Sequence, residues 1–501
     1  MRNLILLLFI FVGLKPQAQS LSKRTSNNLP PALSSISERD LKRDLYTLAG
    51  DSMRGRRAGT SDELKGAAWL SQQAQKAGLK PAGDNETYFQ FFPLVRIVID
   101  KSSTIKINGK ELILWRDEWV VSNDYPFNPR LFFYPGEANL NGNILWLSSF
   151  ADTAKQEIKG SIVAMKIFPP NPLPFANVNF ENVGYAYRAI DKQINALKRH
   201  GALAIILVAD DKTEAAIKQY LNNAYEKGLY GIDDGNTPIE TTFPVILIRS
   251  DEATALQQPG ASIAASLHSS KFIYPSVNVV AEAPGTDAIL KNEFVLYSGH
   301  HDHDGVEAPV DGDSIWNGAD DNASVSVAIL AIGRAYIRQP AKRSALFVWH
   351  GAEERGLFGS QWYAQHPTVK KENIVAVING DMIGRNNPDS ASLLGVTKPH
   401  RNSIALANAA FKANKQVGHF KIDTAWDNEN HQEYWYYRSD HFPYAQAGIP
   451  AIYFSTLLHG DYHTPKDEPD RINYSKLKRM VEWMYATGWI VANTAKRPAV
   501  D

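Results

Sequence analysis

The sequence predicts an α/β protein, a mixed and largely parallel sheet flanked by helices, with an inserted α+β or β-rich domain. Three observations carry this. From Val277 onward, short apolar runs alternate with stretches of helical spacing, the pattern of parallel strands joined by crossover helices. Between Phe89 and Leu147 the chain is instead rich in β-formers, and STIKINGKELIL carries a hairpin signal at Asn108–Gly109. Finally, 501 residues, 44% hydrophobic and 21% charged, make an ordinary globular composition, with room for about three domains or fewer.

Taken in order, the chain opens with MRNLILLLFIFVGLKPQAQS. One arginine precedes the apolar run Leu4–Leu14, and small or polar residues follow to Ala18. This is a signal-peptide layout over 1–18, shorter than the roughly 20 residues a membrane span needs. A flexible serine- and proline-rich leader is expected over 19–35. Helical spacing begins near Ile36 and covers Leu41, Leu45 and Leu48, and a second helix is expected over Ser61–Ala77, stopped by Gly78. Beyond the β-rich stretch, Ser161–Ile167, Ala202–Val208 and Phe243–Ile248 read as buried strands and Ala189–Arg199 as a helix. Long loops run over Pro169–Phe175 and Gly231–Thr241. In the C-terminal half, strands are expected at Phe294–Ser298, Ala345–Trp349, Val375–Ile378 and Ala451–Phe454. The helices are expected at about Ala323–Ile337, Leu357–Gln365, Ser403–Ala413 and Tyr474–Asn493. In the last, Leu477, Met480, Val481, Met484 and Val491 share one face.

Charge and cysteine content narrow the function. Lys and Arg (53) balance Asp and Glu (53), so the lysine and arginine excess that nucleic-acid binding requires is missing. No other segment is apolar and long enough to cross a bilayer. With no cysteine in the chain, disulfides and a lipid-modified cysteine are excluded. Soluble export, secreted or periplasmic, is expected. A metal site would have to use nitrogen and oxygen donors, which suits zinc, manganese or magnesium.

The chemistry gathers where the strands end. His300–His303 follow the first C-terminal strand, Trp316–Ser324 (WNGADDNAS) open the next helix, and Ala352–Gly356 (AEERG) follow the second strand. Asn379–Gly384 (NGDMIG) follow the third and Tyr462–Asp467 (YHTPKD) the fourth. Each cluster has a plainer reading. Two aspartates before a helix usually cap it, two glutamates after a strand usually make a solvated turn, and His350 reads as a packed strand-end histidine. Together at one sheet edge they point to function, because sites in open α/β sheets lie past the carboxyl ends of the strands.

In order, His300-x-Asp302, GADDNAS, EERGLFGS, GDMIG and DYHTPKD resemble the co-catalytic zinc aminopeptidases of metallopeptidase family M28, over 270–495. LAGDSMRGRRAGT and GLKPAGDNETYFQFFPL resemble that family's first helices. KGSIVAMKI and INALKRHGALAIILV resemble a protease-associated (PA) domain. The resemblance implies a discontinuous zinc-exopeptidase domain (phosphorylase/hydrolase-like fold) over 36–100 and 270–497, interrupted by a PA-like domain over 101–269. It also implies two Zn2+, for which Mn2+ or Co2+ could substitute. His300 and Asp381 would hold one zinc, Glu354 and His463 the other, and Asp321 would bridge them. Asp302 would orient the His300 ring, and Glu353 would be the general base toward a zinc-activated water. Glu353 and Glu354 can both face the site only if the chain turns there, and Gly356 is consistent with such a turn.

By the same resemblance, Tyr436 in YRSDH stands where some relatives carry an oxyanion-assisting tyrosine; packing among Tyr434, Trp435 and Tyr437 is the alternative. His303 would line the pocket and His301 would point away. The Asp321–Asn322 peptide is expected to be cis. Val325 replaces a glycine found in many relatives, with a packing change and no loss of metal expected. The implied activity is a secreted aminopeptidase acting on peptide or protein N-termini. Carboxypeptidase, dipeptidase or glutaminyl cyclase chemistry on the same fold is the first alternative, and a non-catalytic receptor-like ectodomain the second.

Overall fold

Strands whose residues are buried on both faces form the centre of the C-terminal half. Phe294–His300, Ser344–His350 and Ile374–Gly380 are buried at every position, as expected of parallel strands covered by helices on both sides. The structure, a computed structural model, describes residues 29–120, 134–135, 137–154, 156–169, 181–217, 228–233, 235, 240–241, 243–431 and 433–501. The signal peptide expected over 1–18, the start of the leader and most of the loop expected at Pro169–Phe175 lie outside them. Among the described residues no helix is long and apolar enough to cross a membrane.

The sheet runs Lys80–Pro81, Ser276–Ala283, Ser344–His350, Phe294–His300, Ile374–Gly380, Ala451–Ser455, Ser390–Leu394, Lys421–Asp423. Its four central strands are parallel. Ser276–Ala283 on one flank and Ser390–Leu394 on the other pair antiparallel to them, so the sheet is parallel where the site sits and mixed outside it. The register sets His300 beside His350 and Ser298 beside Asn379, which brings the strand ends to one edge. Helix Ser324–Arg338 packs into a core shared with Leu41, Leu45, Leu48, Leu477, Met480 and Met484, the apolar faces that helical spacing predicted. Ser37 caps the first of these helices by accepting from Asp40 N at 3.1 Å.

A second sheet is built within 104–267. Its centre is parallel, from Ala138–Leu147 through Ile162–Lys166 and Ala204–Val208 to Val245–Ile248. Ile205 and Leu207 enter the core on one face, and Ala204, Ile206 and Val208 the core on the other. Helix Glu181–Arg199 starts earlier than the Ala189 expected from spacing. The Asn108–Gly109 hairpin is present, with φ of 50° and 78°. A three-stranded antiparallel sheet is formed by Leu229–Ile232, Leu94–Ile99 and Ser269–Ile273.

Candidate metal centre

Four strand-to-loop transitions and one N-terminal arginine assemble the site. Arg56, from the LAGDSMRGRRAGT stretch, is fully buried. It donates to the carbonyls of Leu48, His301, Asn317 and Gly318 at 2.7–3.1 Å. That fixes the His300 loop against the loop bearing Asp321. After Ser344–His350 the chain turns sharply. Ala352, Gly356 and Leu357 take positive φ, and the N–H groups of Gly356 and Leu357 both donate to Glu353 O at 2.8 Å. This turn lets consecutive residues Glu353 and Glu354 face the same space. Before helix Ser324–Arg338 the Asp321–Asn322 peptide is cis. The Asp467 carboxylate accepts the N–H groups of Asp320 and Asp321 at 3.0 Å, and the Asn322 side chain donates to Gly380 O at 3.1 Å.

The expected metal ligands converge. His300 Nε2 lies 3.2 Å from Asp321 Oδ1 and 3.5 Å from Asp381 Oδ2. His463 Nε2 lies 3.1 Å from Asp321 Oδ2 and 3.2 Å from Glu354 Oε2. Asp321 thus offers one oxygen to each histidine, as a bridging carboxylate must. Donors about 2.0 Å from a tetrahedral ion are about 3.3 Å apart, so these spacings fit a metal on either side of Asp321. The donor sets His300–Asp321–Asp381 and His303–Asp321–Glu354–His463 are each close enough to share an ion. His300 Nε2 is buried with no hydrogen bond to satisfy it, a costly state for a polar atom unless it binds something.

The electrostatics agree. Burial acts against the charged imidazolium of His300, yet Glu353 and Asp381 hold its pKa well above the usual range. For His463 burial is outweighed by Glu354, with Asp304 among the other groups that raise it. Burial would lift Glu354, but His463 and His303 hold it well below the ordinary carboxyl value. Burial pushes Asp381 up to about 6 despite His300. Glu353 is raised well above its ordinary value, first by burial and then by Glu354 and Asp381. A buried crowd of carboxylates that draws in positive charge is what a cation site requires.

Two of the expected roles meet a different geometry. The nearest partner of His300 Nδ1 is the backbone carbonyl of Asp302, at 3.2 Å, with the carboxylate 3.8 Å away. The carboxylate instead accepts Glu353 N at 3.0 Å and Glu354 N at 3.3 Å, so Asp302 braces the glutamate turn. Tyr436 stacks on His400 with ring centroids 4.0 Å apart and edges against Tyr437, His441 and Phe442. This is the packing alternative. Burial raises the pKa of Tyr453 and of Tyr462; Asp381, Asp321 and Glu353 raise the first further, and Asp321 and Glu354 the second.

His301 turns to the strand Ser276–Ala283, two places along the sheet, and meets Val277 O at 2.9 Å, and burial lowers its pKa to about 4. His350 sits between Asn278 and Tyr444, a packed strand-end histidine. Val325 fills the space beside two glycines. A Cβ on Gly299 would come within 2.5 Å of it, and one on Gly380 within 3.1 Å.

Sequence reasoning missed Asp304, Asp440 and Asp467. Asp440 is buried, and burial lifts its pKa to about 7, with His300 and Asp381 among its neighbours. It follows Ser439 in the same RSDH stretch that drew attention to Tyr436, so the signal was present. Asp467 closes the quoted YHTPKD, but its partners, backbone amides at 320 and 321, have no sequence signature.

The fold matches that of solved aminopeptidases. An aminopeptidase from Aneurinibacillus sp. strain AM-1 superposes with a TM-score of 0.58 at 17% identity, covering 94% of this chain and 97% of that one. BSAP, a zinc aminopeptidase from Bacillus subtilis, gives 0.52 at 18% identity, covering 92% and 96%. The profile described as Peptidase family M28 matches residues 278–488. Leupeptin-inactivating enzyme 1 of Streptomyces exfoliatus is 31% identical over 180 residues, 34% of this chain and 34% of the relative. Aminopeptidase YwaD of Bacillus subtilis (strain 168) is 25% identical over 266 residues, 51% of this chain and 53% of the relative. The matches thus span between a third and about half of the length of these curated relatives.

Proposed function

We propose that the chain is a zinc-dependent aminopeptidase holding two zinc ions, with His300 and Asp381 on one, Glu354 and His463 on the other, and Asp321 shared. The observation that carries this is the division of the two Asp321 oxygens between two histidines, at 3.2 and 3.1 Å. The match of residues 278–488 to the Peptidase family M28 profile and the activities the relatives are named for support it.

A zinc pair supplies Lewis acidity, an acidified water and positive charge opposite a developing oxyanion. The chain does the rest. Glu353, 3.7 Å from His300 Nε2 and about one-tenth exposed, is the group placed to take the proton of the attacking water and return it to the leaving amine. Asp302 fixes that carboxylate by holding the Glu353 and Glu354 amides. Arg56 and Asp467 lock the loops that carry His300 and Asp321.

The substrates are peptide or protein N-termini. Residues 1–18 would direct export, and 101–269 would form a PA-type insert. The test is hydrolysis of free N-terminal amino-acid anilides, compared with N-blocked dipeptides. Turnover of the anilides with zinc dependence supports the reading; turnover of the blocked dipeptides alone would replace it with carboxypeptidase chemistry.

A further inference from the structure

We propose that His303, Asp304 and Arg355 form a clamp that positions Glu354 and His463, and that the His300–Asp381 half of the centre does not depend on it. This rests on the two-metal reading above. Glu354 and His463 each have one atom turned inward and one turned outward. The inward atoms, Glu354 Oε2 and His463 Nε2, lie 3.2 Å apart beside Asp321 Oδ2. The outward atoms are both taken. His303 Nδ1 lies 2.8 Å from Glu354 Oε1, and Asp304 Oδ2 lies 3.3 Å from His463 Nδ1. Arg355 Nη2 donates to the other oxygen of Asp304.

The geometry is that of groups acting behind ligands. A carboxylate on the far nitrogen of a metal-binding histidine fixes the ring and its tautomer, and a donor on the outer oxygen of a carboxylate fixes which oxygen turns inward. His303 and Asp304 are fully and nearly fully buried, so neither exchanges these contacts readily for water. The His300 half is held differently, by a backbone carbonyl on Nδ1. Arg355 also lies over the ring of Tyr230, 5.8 Å from its centroid. Tyr230 belongs to the strand Leu229–Ile232, so the inserted segment reaches the metal centre at the clamp.

The test uses the full chain stripped of metal and titrated with zinc against a competing chelator. Wild type is expected to bind two ions. Asp304→Asn and His303→Gln should each weaken one site by about 10–100-fold and leave the other at its wild-type affinity. Asp381→Asn should weaken the opposite site, so that Asp304→Asn with Asp381→Asn weakens both. The melting temperature of the metal-free protein should be the same in wild type and Asp304→Asn, and Arg355→Lys should retain more affinity than Arg355→Met. Two unchanged sites in both Asp304→Asn and His303→Gln would overturn the clamp alone, with the aminopeptidase reading intact. Equal weakening of both sites, or a lowered melting temperature of the metal-free Asp304→Asn protein, would make the role structural and also overturn it. A wild-type chain that takes up no zinc would remove the function and the clamp together.

Discussion

The chain contains Ala–Asp–Asp before a helix twice, and the two copies do opposite things. Ala209–Asp210–Asp211 follows the strand Ala204–Val208 in the inserted sheet. There Asp210 caps a helix, accepting Thr213 N at 2.9 Å, and takes the Tyr185 hydroxyl. Asp211 is exposed. Ala319–Asp320–Asp321 precedes helix Ser324–Arg338, and neither aspartate caps it. Both are buried. Asp320 accepts Gly384 N at 2.6 Å, and Asp321 faces His300 and His463. The same three residues yield a cap where side chains reach water and a bridge where partner loops enclose them. What decides is the surroundings: Asp467 on the backbone amides, Asn322 tied to Gly380, and two histidines distant in sequence.

Four predictions break or sharpen this contrast, in falling order of effect. Asp321→Ala should abolish both metal retention and turnover, whereas Asp211→Ala should leave both unchanged. Elemental analysis and an anilide assay on the two proteins decide it. Glu353→Gln should keep the metal and lower kcat by about 10²–10⁴-fold, the usual weight of a general base. A near-native rate in that variant would remove Glu353 from the chemistry.

Glu118, in the second sheet, shows a buried carboxyl with no cation beside it among the described residues. Burial, and then Asp117 and Glu111, lift its pKa to about 8 from an ordinary 4.5. The unfolded chain ionises first as pH rises, so this group's contribution to stability falls between about 4.5 and about 8. Glu118→Gln should therefore raise the melting temperature at pH 8 more than at pH 5. Equal changes at the two pH values would contradict it. Smallest of the four, Asp210→Ala should cost about 0.5–2 kcal/mol of stability in denaturant unfolding, the value of an N-cap, with metal content and activity intact.

Much of this was legible in the sequence because it was local. The four central strands and the helices after them showed as apolar runs and helical spacing. Four of the five expected ligand positions stood past the ends of those strands, and Asp321 just before a helix. The flanking strands Ser390–Leu394 and Lys421–Asp423 were not legible. They are short, and their pairing with Ala451–Ser455 and with each other depends on chain distant in sequence. The contacts behind the expected ligands were not legible for a related reason. Asp302 was expected to serve the histidine two residues away, but the turn at Ala352 brings the Glu353 and Glu354 amides to it. Asp304 was passed over, because only the fold sets it against His463, far along the chain. Tyr436 lay in a run of aromatic residues where neighbours, not spacing, choose which ring faces the site.

The central claim is that five side chains from separate loops hold a pair of metal ions around Asp321. An anomalous difference map at the zinc edge, from crystals of the full chain grown with zinc, tests it most directly. The account predicts two peaks, one among His300, Asp321 and Asp381 and one among Asp321, Glu354 and His463. A map with no peak beside Asp321, or with zinc bound only elsewhere on the molecule, would contradict it.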